Sequence, residues 1–193
     1  MGSTERARSV LGTLRRAEPE RGAGRRVRVT LMFTDIVEST ALLTAIGDDA
    51  WSVLLQWHDA TLRRLFAEHG GQEVKQVGDG FFAVFSDAHA AIACAVAIQQ
   101  TLSTSRRARH LTPKVRIGVH EAEVTQTPGD FTGRGVHEAA RIAALGEADE
   151  VVTSARTLAR AYNGFPAHRP RSATLRGFPE PVDLVSVGAE LAG

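Results

Sequence analysis

Lysine is nearly missing from this chain. Of 23 basic residues among 193, only Lys75 and Lys114 are lysines, so a lysine inside a motif stands out against an arginine background. Cysteine is scarcer still. Cys94 is the sole one, which excludes an internal disulfide framework and a multi-cysteine zinc site and fits a reducing compartment. It lies in the apolar run AAIACAVAI and reads as a small core residue. Long apolar runs are lacking too: none approaches the ~20 residues that a membrane span needs, and the polar, Arg-rich start has no signal-peptide pattern. The expectation is a soluble, cytoplasmic chain with no membrane partner. Neither sign of charge dominates, with 23 basic against 22 acidic residues and a net charge of +1, so charge points to no particular partner.

The composition that is present, 43% hydrophobic and 23% charged, suits one globular domain with a sizeable core. Residues 1–26 stand apart. They carry Arg6, Arg8, Arg15, Arg16, Arg21, Arg25 and Arg26 among glycine, proline and few apolar residues, and read as a flexible leader. With no aromatic residue interleaved, they do not read as a nucleic-acid arm. The compact domain is expected over 27–188, with 189–193 as a tail.

Within it, VRVTLMF (27–33) reads as a buried strand. From Asp48 to Glu68 the apolar positions fall at helical spacing, and Gly70-Gly71 ends the helix. QEVKQV (72–77) and FFAVF (81–85) are strands joined through Gly78-Asp79-Gly80, a hairpin signal. Asp87 caps a helix to about Thr101, and KVRIGVH (114–120) is a further strand. This order, βαββαβ, is a ferredoxin-like α+β arrangement with an antiparallel sheet and helices on one face. A loop (121–132), a helix (135–145), a strand (150–154), a short helix and two late strands extend it.

Two aspartates occupy telling places. Asp35 closes the first strand and Asp79 tips the hairpin; in a ferredoxin-like sheet these strands are neighbours, so both carboxylates reach one point. Such a pair suits Mg²⁺ or Mn²⁺ with substrate phosphates filling other positions. The IVEST segment after Asp35 leads into a helix whose free N–H groups can cradle phosphate. A second cluster, GDFTGRGVHEAARIAAL, sets Asp130 before a helix that carries His137 and Arg141 at i, i+4 on one face.

Together, FTDIVEST, EVKQVGDGFFAVF, VRIGVH, DFTGRGVHEAARI and TLRGFPEPVDLVSV resemble the class III adenylate/guanylate cyclases, in the family's order and over nearly all of 27–188. The resemblance implies roles for individual residues. Asp35 and Asp79 match the metal aspartates and the Ile36 carbonyl matches the backbone ligand, for two divalent cations, Mg²⁺ or Mn²⁺. Lys75 and Asp130 match the pair that reads the base, Arg141 the transition-state arginine, and Arg176 a triphosphate-binding position. His137 stands where the family usually has Asn, orienting the ribose. Glu121-Ala122 replaces the usual Thr-Gly or Ser-Gly.

A lysine donor and an aspartate acceptor suit adenine rather than guanine, so the expected activity is conversion of ATP to cyclic AMP and pyrophosphate. In this family the site lies between two subunits, and since both residue sets are on this chain, a homodimer with composite active sites is implied. Two other readings compete: a degenerate cyclase domain that binds nucleotide as a regulatory module, and a ferredoxin-like nucleic-acid-binding sheet. The second lacks the aromatics such sheets use to stack bases.

Overall fold

The structure, a computed structural model, describes residues 24–109, 112–162 and 164–188. In chain order the elements are β1 (Arg25–Ile36), α1 (Ser39–Ile46), α2 (Asp48–Glu68), β2 (Gln72–Val77), β3 (Gly80–Phe85), α3 (Ala88–Arg109), β4 (Val115–Thr127), β5 (Asp130–Thr132), α4 (Arg134–Ala144), β6 (Val151–Ser154), α5 (Ala155–Arg160), β7 (Ala167–Thr174) and β8 (Pro181–Val187). Seven strands follow the order β2-β3-β1-β4-β6-β8-β7, and β5 pairs with β4. The ferredoxin-like unit is the β2-β3-β1-β4 portion, antiparallel throughout. To it β6 adds in parallel with β4.

The central strands are apolar on both faces, and each face needs its own cover. Met32, Phe81, Ala83 and Phe85 meet Leu62, Leu65 and Phe66 of α2 and Ile92, Ala95 and Ile98 of α3. On the opposite face Leu31, Phe82 and Val84 pack with Phe131 of β5 and Ala139 of α4. The two helices of the βαββαβ unit, α2 and α3, therefore share one face as expected, and α4, which follows that unit, covers the second face over buried Leu31 and Phe82.

The segment 121–132 is not a loop. β4 continues to Thr127 and turns back into β5, with Ala122 and Val124 buried and Glu123 exposed between them, a period-two pattern that its acidic residues obscure. The same extension gives Arg25 and Arg26 strand partners in Gln126 and Thr125, and Arg26 Nε lies 3.0 Å from Glu123 Oε1. The first strand thus begins inside the stretch expected to be a leader. Residues 1–23 of that stretch and the tail, 189–193, lie outside the described residues.

A separate helix, α1, precedes α2, and Gly47 at φ 80° divides them. Asp87 caps α3 as expected, its Oδ1 accepting from the Ala90 N–H at 2.9 Å, though the helix runs past Thr101 to Arg109. Cys94 is buried, and burial pushes its thiol up to about 12, so it packs rather than reacts. Among the described residues no helix is long and apolar enough to cross a membrane.

Candidate active site

Asp35 and Asp79 are brought together by a close contact of backbones. The Phe81 N–H donates to Thr34 Oγ1 at 3.0 Å, drawing the start of β3 onto the end of β1. A Cβ on Gly80 would stand 2.0 Å from the Thr34 carbonyl oxygen and 3.2 Å from the Asp35 Cα, so only glycine lets the hairpin approach this far. Asp79, the residue before it, is held beside Asp35, and both are half-buried. Ile36 buries its side chain in the core, leaving its backbone as the only part that can serve a ligand. Beyond it, Glu38 adopts φ 56° at the start of α1, which has no side-chain cap, so the helix's first N–H groups are not taken by a capping side chain.

These oxygens fit a hard divalent cation. Among the described residues no three His, Cys, Asp or Glu side chains converge. A cation here would take two carboxylates and a backbone carbonyl and complete its shell from water and phosphate, which is how Mg²⁺ is usually held.

One partner of this site is not evident in the sequence. Arg116 of β4 lies directly across from Asp35; its Nε donates to Asp35 Oδ2 at 2.8 Å and its Nη2 bonds the same oxygen.

Lys75 and Asp130 meet as well, although 55 residues separate them. Lys75 Nζ donates to both carboxylate oxygens at 2.9 Å. That ammonium, together with the Phe131 N–H, holds the Asp130 carboxyl below the usual carboxylate range. Both side chains remain open to solvent, at 47% and 40%, so they can exchange each other for a ligand.

The third group is on α4. Ala139, Ile142 and Ala143 turn inward while His137 and Arg141 are exposed. Neither has a hydrogen-bond or ion-pair partner among the described residues. The helix is pinned beneath them. A Cβ on Gly135 would lie 2.5 Å from the Ala122 methyl, so Ala122 fills space that Gly135 leaves. Glu138 reaches back to the fully buried His120, with 3.5 Å between its Oε1 and Nε2; this contact holds the Glu138 carboxyl below its ordinary range. His120 Nδ1 is in turn 3.0 Å from Ser154 Oγ. Glu121, the other departure, accepts from Arg160 Nη1 at 2.6 Å and its N–H donates to Thr157 Oγ1 at 2.9 Å, tying β4 to α5.

Arg176 is exposed after β7, with no polar partner among the described residues. Its loop touches α4 where the Arg134 guanidinium lies 4.8 Å from the centre of the Phe178 ring. The expected residues therefore fall into Asp35 with Asp79, Lys75 with Asp130, His137 with Arg141, and Arg176 alone. No hydrogen bond or ion pair among the described residues links one group to another.

Residues 23–182 match a family model described as "Adenylate and Guanylate cyclase catalytic domain". An uncharacterized protein of Mycobacterium tuberculosis is 35% identical over 132 residues, 67% of this chain and 43% of that protein. Putative adenylate cyclase 3 of Rhizobium meliloti is 29% identical over 132 residues, 67% of this chain and 22% of that one. The chain thus spans less than half the length of these curated relatives. Among solved structures, the adenylyl cyclase CyaB from P. aeruginosa aligns with a TM-score of 0.77 at 25% identity, covering 86% of this chain and 96% of that one. The guanylyl cyclase Cya2 aligns with a TM-score of 0.78 at 21% identity, covering 86% and 94%.

Proposed function

This chain belongs to the adenylate and guanylate cyclase catalytic-domain family, and on that premise we propose that it converts ATP to 3′,5′-cyclic AMP and pyrophosphate at sites shared between two copies. The observation that carries the choice of ATP is the Lys75–Asp130 pair, side chains from β2 and β5 whose charged ends meet at 2.9 Å and stay exposed. Adenine offers an acceptor at N1 and a donor at its 6-amino group, which an ammonium and a carboxylate complement. Guanine reverses both and would leave polar groups mispaired.

Each remaining group has a task in the same reaction. Arg141, with no partner among the described residues, supplies positive charge to the α-phosphate as negative charge develops there. His137 offers a ring N–H to the ribose, in place of an asparagine amide. Arg176 faces the triphosphate. Asp35, Asp79 and the Ile36 carbonyl would hold two divalent cations, Mg²⁺ or Mn²⁺, which when bound lower the pKa of the 3′-hydroxyl and offset charge on the leaving pyrophosphate. No side chain is needed as a nucleophile. Because Arg141 and His137 point outward and no bond joins them to the aspartates, two copies related by a two-fold axis would complete each other's sites.

His137 in the usual asparagine position favours one second reading, a domain that binds nucleotide and turns it over poorly or not at all.

Base selection is tested by inverting the pair. Lys75→Glu combined with Asp130→Ser lowers kcat/KM for ATP relative to GTP by about 100-fold. An unchanged ATP:GTP preference in the folded double variant removes both residues from base recognition.

A further inference from the structure

The strand that carries Lys75 is irregular. Its partners on β3 run Glu73↔Ala83, Lys75↔Phe82 and Gln76↔Phe81, so Val74 is an extra residue. Two consecutive side chains consequently share one face. Val74 packs into the cluster around Phe82, and Lys75 Nζ passes 5.9 Å from the Phe82 ring centre on its way to Asp130. Glu73 and Gln76 lie on the other face, toward α2. A bulge of this kind re-aims a side chain. Had β2 kept strict alternation from Glu73 onward, Lys75 would oppose Phe81 and point at α2, away from Asp130.

One side chain of α2 holds both sides of the bulge. Arg63 Nε donates to Glu73 Oε2 at 2.7 Å, and its Nη2 donates to Glu73 Oε1 at 3.1 Å and to Gln76 Oε1 at 3.0 Å. The guanidinium lies 4.9 Å from the centre of the Phe81 ring. Gln76 Nε2 donates onward to Asp59 Oδ2 at 2.9 Å, so the far side of the bulge is tied to α2 twice. A rigid planar fork suits this bridging, because its donors are fixed relative to one another.

We propose that Arg63 is a positioning residue for base selection: by clamping Glu73 to Gln76 across the Val74 bulge, it keeps Lys75 on the face where Asp130 completes the pair. The inference rests on the reading of Lys75 and Asp130 as base readers. Arg63 bonds neither of them and acts through the register of β2 alone.

The experiment compares Arg63→Met, Arg63→Lys and Lys75→Ala in the full chain, by carboxyl NMR titration of Asp130 in nucleotide-free protein and by the ATP:GTP ratio of kcat/KM. In the parent, the Lys75 ammonium holds the Asp130 carboxyl below the usual carboxylate range. In Arg63→Met its midpoint rises to match Lys75→Ala, and the ATP:GTP ratio falls about tenfold, with no further fall when the two changes are combined. Arg63→Lys falls between, having charge without the fork. Deleting Val74 restores plain alternation with Lys75 still opposite Phe82, so in that background Arg63→Met no longer moves Asp130. An unmoved Asp130 midpoint in folded Arg63→Met overturns the clamp, as does an equal shift in the Val74-deleted chain. If Asp130 moves as described while the ATP:GTP ratio stays constant in both Arg63→Met and Lys75→Ala, the clamp stands and the base-reading role of Lys75 falls.

Discussion

On the proposed reading, Asp35→Ala is expected to lower turnover by about 1,000-fold, and Asp79→Ala to do the same. The charge stabilisation expected from metal at such a site is several kcal/mol, and each 1.4 kcal/mol is tenfold in rate. Gly80 packs directly on the backbone of Thr34 and Asp35, which sets Asp79 next to Asp35 in the chain's fold, and on that reading both carboxylates are needed to hold the metal. The loss is one of chemistry and not of fold. The Asp35–Arg116 ion pair is partly exposed, 40% at Asp35 and 34% at Arg116, and such pairs contribute at most ~1 kcal/mol. Thermal melting of Asp35→Ala should therefore stay close to the parent while turnover collapses across a Mn²⁺ titration. A folded variant that keeps parental turnover with the same metal demand contradicts the assignment.

The second large effect is a recovery. In the proposed homodimer, Asp35→Ala would remove a metal carboxylate from every site and Arg141→Ala would remove the arginine from every site, so each preparation alone is expected to be nearly inactive. In a mixed dimer with shared sites, both lesions fall together in one site and leave the other whole. Random exchange makes half of the dimers mixed, each with one good site of two, so about a quarter of the parental activity returns. Sites built within single chains would each keep one lesion and recover nothing. Mixing, with exchange followed by a label on one partner, separates the two. No recovery despite complete exchange rules out the shared site.

What was legible in the sequence follows from how local each signal is. Asp35, Asp79 and Asp87 stand at strand ends, a hairpin tip and a cap, where neighbouring residues alone define the geometry. The βαββαβ order could be read because each element carries its own period and stop signals. Lys75 and Asp130 stood out through a lysine in an arginine background and the family's motifs, and the structure then brought their charges within bonding distance. Arg116 was missed because its pairing with Asp35 spans 81 positions and depends on strand register, which no local pattern states. The second half of β4 was hidden by Glu121 and Glu123, whose charges look like loop but alternate with buried Ala122 and Val124. The bulge at Val74 was invisible for a similar reason: QEVKQV reads as an ordinary strand until its partner on β3 is known. The two departures at Glu121 and Ala122 become intelligible only in three dimensions, as an ion pair to Arg160 and a methyl seated against Gly135.

The most direct measurement incubates the purified chain with ATP, and separately with GTP, with Mn²⁺, with Mg²⁺ and with chelator, and quantifies cyclic nucleotide and pyrophosphate. The account predicts cyclic AMP and pyrophosphate in equal amounts from ATP, far less cyclic GMP from GTP, and no product once the metal is removed. Cyclic GMP as the main product, or nucleotide bound with metal present and no cyclic product formed, would contradict it.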